Sequence, residues 1–89
     1  MEYNAENIAR FVATLLEDCY SWRVTPIDDT SFELEIGEEA HDVITWYDKF
    51  VVEFDSKKIT YDRGRKRTFY RCDFELWAKD PRHLMWWNY

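Results

Sequence analysis

Between Tyr3 and Cys19 the apolar residues recur at intervals of three and four. Ile8, Phe11, Val12, Leu15, Leu16 and Cys19 fall on one side of an α-helix, and Glu6, Asn7, Arg10, Thr14, Glu17 and Asp18 on the other. Asn4 stands where an N-cap accepts backbone N–H groups, with Tyr3 and Ile8 spaced as a hydrophobic staple. The spacing predicts a helix from Ala5 to about Tyr20. The period then drops to two. Trp22 and Val24 alternate with Arg23 and Thr25, Asp28-Asp29-Thr30 reads as a turn, and Phe32, Leu34 and Ile36 alternate with Ser31, Glu33 and Glu35 up to Gly37. These two runs predict a β-hairpin.

From Glu38 to Phe54 two periods compete. Ala40, Val43, Ile44, Tyr47 and Val51 fit a helical face, but the richness in β-branched and aromatic residues favours two strands with a turn at Asp48-Lys49. Asp55-Ser56-Lys57-Lys58 is a turn. Ile59 and Tyr61 belong to a strand, and Arg63-Gly64-Arg65 is a tight turn, because glycine takes a positive φ at no steric cost. Tyr70, Cys72, Phe74 and Leu76 then alternate with polar residues and predict a long last strand, stopped by Asp80-Pro81. The apolar tail from Leu84 to Tyr89 is expected to pack back as a short strand or to act as an adhesive end. Altogether the pattern predicts a single α+β domain over residues 1–89, an N-terminal helix packed on an antiparallel β-meander of five or six strands.

Charge changes the picture most. Met1–Asp48 carries twelve acidic and two basic side chains, a formal −10, and Lys49–Tyr89 carries six acidic and ten basic ones, a formal +4; together they give the net −6. Such a split presents a strong field to a partner. Glu33, Glu35, Glu38, Glu39 and Asp42 are expected to share a surface, with Trp46 as an aromatic anchor. That set would dock on a basic surface of a larger protein, with one that handles nucleic acid a candidate target, by charge-assisted hydrogen bonds. The bland alternative is an acidic coat that only keeps the chain soluble.

Arg63, Arg65, Lys66, Arg67 and Arg71 form the opposite cluster, with Tyr61, Phe69 and Tyr70 nearby. Cations interleaved with rings suit nucleic acid. This is the second reading, disfavoured by a pI of about 4.8 for the whole chain. Self-association is a third: the two oppositely charged halves could pair between protomers, with an open edge strand joining them into a homodimer.

Other chemistry finds little purchase. Cys19, Cys72, His41 and His83 lie too far apart in sequence for a standard metal spacing, and no cofactor is implied. The cysteines read as reduced core thiols of a cytoplasmic protein. No apolar run approaches the roughly 18 residues that span a bilayer, so no membrane association is expected. No nucleophile–base pattern is evident, and a core this small leaves little room for a cleft of about 300 Å³, so an enzyme is not expected. Trp46, Trp77, Trp86 and Trp87 exceed what so small a core readily holds, which suggests an exposed interface centre. The expectation is a non-catalytic inhibitor or adaptor that acts by occlusion, of the kind found among phage and mobile-element accessory proteins.

Overall fold

The computed structural model describes residues 1–16 and 21–80. Helix α1 (Ala5–Leu15) is followed by β1 (Ser21–Asp28), β2 (Ser31–Ala40), β3 (Val43–Phe54), β4 (Lys58–Asp62), β5 (Lys66–Tyr70) and helix α2 (Arg71–Lys79). The strands form one antiparallel sheet in the order β1-β2-β3-β4-β5, the expected meander. α1 begins where expected: the Asn4 side chain accepts the Asn7 N–H at 2.9 Å. It leaves helical geometry at Leu16, and the helical extension anticipated toward Tyr20 lies outside the described residues, as does the C-terminal tail.

Both helices pack on one face of the sheet. Ile8, Phe11, Val12 and Leu15 of α1 and Phe74 and Trp77 of α2 meet Phe32, Leu34, Ile36, Val52, Ile59 and Phe69 from the strands. Rings dominate. Phe11 lies 5.7 Å from Phe69, 5.9 Å from Phe74 and 5.4 Å from Trp77, all in edge-on or tilted contacts that add to their area burial. Burial raises the pKa of the Tyr61 hydroxyl at the margin of this cluster, against the lowering fields of Arg67 and Arg63.

Three sequence expectations need correction. The long last strand ends at Tyr70, and Arg71–Lys79 is a helix. The alternation through Cys72 and Leu76 was coincidental: both are exposed, and the buried pair Phe74 and Trp77 is spaced by three. The local chemistry also suits a helix, since the Asp73 carboxylate accepts the Tyr70 N–H at 2.8 Å in the first turn and Lys79 closes the last. Trp77 is therefore 1% exposed core, not a surplus ring, and Cys72 is an exposed free thiol rather than a core one.

The second correction concerns 38–54. β3 runs unbroken through Asp48-Lys49, and the reversal falls at His41-Asp42, both with positive φ of 54° and 64°. Two successive left-handed residues match the twist of a tight hairpin, and Asp and His tolerate that region better than β-branched residues do. The third correction is Gly37, which does not end β2. It sits inside the strand at a bulge where Tyr47 is the extra residue of β3.

Length explains what the core can cover. Helices of 11 and 9 residues span about 16 and 14 Å. The 12-residue β3 spans about 40 Å. The helices therefore cannot shield the whole of β2 and β3, and they leave one end of that strand pair uncovered.

Candidate functional site

The bare end is a two-stranded ribbon. β1 starts opposite Gly37, and among the described residues only β2 and β3 continue beyond it, pairing Glu38 with Thr45, Glu39 with Ile44 and Ala40 with Val43. The ribbon extends about 10 Å past the described part of its neighbours. On the other side β4 pairs with β3 only at Val52–Phe54. Every residue from Glu38 to Thr45 is exposed, Val43 at 63% and Ile44 at 41%. Tyr47 at the base is also exposed.

The base of the ribbon is held by Gly37 and Trp46. A Cβ on Gly37 would stand 2.8 Å from Trp46 Cε3 and 2.7 Å from the Thr45 carbonyl oxygen, so only glycine lets the indole lie across the strand. The Arg23 guanidinium sits 4.1 Å from the Trp46 ring centroid, and its Nε donates to Glu35 at 2.9 Å. The hydrogen bond from Arg23 lowers the pKa of Glu35; desolvation opposes it, and the charges of Arg23 and Lys49 add smaller lowering contributions.

The expected acidic set is thus divided. Glu33 and Glu35 lie mid-sheet on the face away from the helices, opposite cations: Lys49 is 3.9 Å from Glu33, and Arg23 bonds Glu35. Glu38, Glu39 and Asp42 lie on the ribbon and have no ion pair or side-chain hydrogen bond among the described residues. Glu38 and Glu39, being adjacent in a strand, point to opposite faces of it. Trp46 joins the two groups but is already stacked. Sequence reasoning missed Val43, Ile44 and Tyr47 as surface residues. The signal was present as an uncharged run from Val43 to Tyr47, hidden by placing the turn seven residues too late.

The basic set is divided as well. Arg63 bonds Asp48 and lies 5.8 Å from the Phe50 ring. Arg65, Lys66 and Arg67 are exposed around the β4–β5 turn with no carboxylate partner among the described residues, Arg67 leaning on the Phe69 ring at 5.6 Å. Arg71 lies at the far end of β5. There it covers the Tyr3 ring at 4.5 Å, reaches Glu75 at 3.7 Å and donates to the Ser56 carbonyl at 3.4 Å. It fastens α2 to the N-terminal segment.

Among the described residues no three His, Cys, Asp or Glu side chains are grouped to hold a metal, and no helix is long and apolar enough to cross a membrane. A hollow of about 410 Å³ between α1 and β1 is lined by Ala5, Glu6, Trp22, Val24 and Pro26. Fold and site together define an α+β domain that presents a bare β-ribbon. Comparison with protein-family models, with curated proteins and with solved structures finds no match to this chain.

Proposed function

We propose that this chain is a small non-catalytic binding module, an inhibitor or adaptor, that docks its β2–β3 ribbon on a basic surface of a larger protein. One observation carries the reading: three carboxylates without a partner among the described residues, Glu38, Glu39 and Asp42, share a protruding element with exposed Val43 and Ile44. Unneutralised charge steers the encounter, and apolar side chains among it slow dissociation. Glu33 and Glu35 contribute less, because a target would have to displace Lys49 and Arg23. Trp46 supports the ribbon from behind rather than acting as a free anchor.

The test compares capture by the wild-type chain with capture by E38K/E39K/D42K at about 0.15 M salt, where exposed charges still act over roughly 8 Å. Loss of one reproducible protein in the variant supports docking through the ribbon. Equal capture by both chains rules it out. The second reading rests on Arg65, Lys66 and Arg67, which also lack carboxylate partners among the described residues. It requires retention on single-stranded nucleic acid at the same salt and loss of retention in R65E/K66E/R67E.

A further inference from the structure

We propose that the ribbon face turned away from the helices receives an arginine side chain of the partner protein, between Glu39 and Ile44. The choice of partner rests on the docking reading, and the face and the side chain go beyond it. Glu35, Gly37 and Glu39 stand at alternate positions of β2 and share that face. Gly37 shows that Ile44 and Trp46 lie there too, because a Cβ on it would stand 2.8 Å from Trp46 Cε3 and 3.0 Å from Ile44 Cγ2. The bulge at Tyr47 keeps Trp46 and Lys49 on one face although they are three residues apart. Ile44 is 41% exposed and Trp46 is half-buried, so the two make an apolar plate that solvent reaches. Glu38, Val43 and Thr45 occupy the opposite face.

The chain already holds one arginine in this way. Arg23 donates from Nε to Glu35 at 2.9 Å and sets its guanidinium 4.1 Å from the Trp46 ring centroid. Gly37 lies midway between Glu35 and Glu39, about 7 Å from each along the strand. Trp46 pairs with Gly37, so Glu39 repeats on one flank of the indole the place that Glu35 takes on the other. The two carboxylates differ in what they hold. Glu35 has Arg23, and Glu39 has no ion pair or side-chain hydrogen bond among the described residues. Ile44 is paired directly across from Glu39 and offers an apolar surface to the aliphatic stem of an incoming side chain. A guanidinium suits this place better than an ammonium. It is planar, bonds a carboxylate through two N–H groups and is more weakly hydrated. Glu38 adds to the field that draws a basic partner in, but from the opposite face.

The amide resonances of Glu39 and Ile44 in the isotope-labelled full chain should move on titration with hexa-arginine at about 0.15 M salt. Hexa-lysine carries the same charge and should bind at least about threefold more weakly. E39Q should weaken hexa-arginine about threefold and erase its advantage over hexa-lysine, whereas E38Q should change its affinity by less than about twofold. I44S should erase the advantage while keeping part of the binding. All three positions are exposed, and unchanged resonances in β4 and β5 would show that each variant is folded. Equal binding of the two peptides, or equal losses in E38Q and E39Q, overturns the arginine site and leaves docking to be judged by the E38K/E39K/D42K capture. If that capture equals the wild type while the E39Q and I44S effects appear, the docking reading fails and the arginine site stands. Shifts at Glu39 that follow chain concentration without peptide would seat a second copy there and overturn the assignment to a partner protein.

Discussion

The two ends of the sheet are built on different terms. At one end lie the β1–β2 turn, the β3–β4 turn and the start of α2, and each is tied to the others. The Phe54 N–H reaches the Thr30 carbonyl at 2.8 Å, the Tyr3 hydroxyl donates to the Asp55 carbonyl at 2.8 Å, and the Arg71 N–H donates to the Lys57 carbonyl at 2.7 Å. At the other end the same two long strands leave the helices behind and carry only His41-Asp42 and exposed side chains. Phe32 of β2 is fully buried, while Glu39, seven residues on, is exposed. Folding free energy is therefore concentrated at the tied end.

The sharpest way to break this contrast is inside the ring cluster. Phe11→Ala removes the ring that touches Phe69, Phe74 and Trp77, and should cost about 3–5 kcal/mol in urea unfolding, enough to approach the whole stability of a small domain. A loss below about 1 kcal/mol would mean that the cluster is loosely packed. Next comes the junction between the two ends. Gly37→Ala drives a methyl into Trp46 and the Thr45 carbonyl, which cannot both yield without moving β3, and should cost about 1–3 kcal/mol. Tryptophan emission should shift as the indole leaves Arg23. Asn4→Ala removes the α1 cap and should cost about 1 kcal/mol by the same measurement.

The sequence was informative wherever one face of an element is buried. The α1 stripe and the Phe32, Leu34, Ile36 alternation are direct readings of burial, so both elements and the meander could be read in advance. It misled where burial is absent or too short to show a period. Only Phe74 and Trp77 of α2 are buried residues, and two positions do not outvote an alternation running through exposed Cys72 and Leu76. The out-of-phase Trp77 was the warning. The ribbon turn was misplaced because neither His41 nor Asp42 is glycine, so the positive φ values had no marker. The division of the acidic residues could not be read at all. That Arg23 meets Glu35 and Lys49 meets Glu33 follows from the registers of β1 with β2 and of β2 with β3, which no local pattern marks.

The smallest effect is a difference in acid sensitivity between the two ends. At the tied end the Asp28 carboxylate accepts the Thr30 N–H and the Ser31 hydroxyl, both at 2.8 Å, and Asp55 accepts the N–H groups of Lys57 and Lys58 at 2.8 and 2.9 Å. Those hydrogen bonds favour the ionised form and hold both pKa values below the usual carboxylate range. A depressed folded-state value means that the unfolded chain takes up the proton first. The contribution is therefore complete above the unfolded pKa, near 4, and is lost as pH falls through the lower folded values. The ribbon turn has no carboxylate bonded in this way. Amide exchange at Thr30, Lys57 and Lys58, corrected for the intrinsic pH dependence of the chemistry, should lose protection as pH falls below the ordinary carboxylate range, while exchange at Val43 and Ile44 should show no such step. In D28N/D55N the step should vanish at the tied end, since an amide does not titrate there. A step of equal size at both ends would show that acid acts on the sheet as a whole rather than through these two turns.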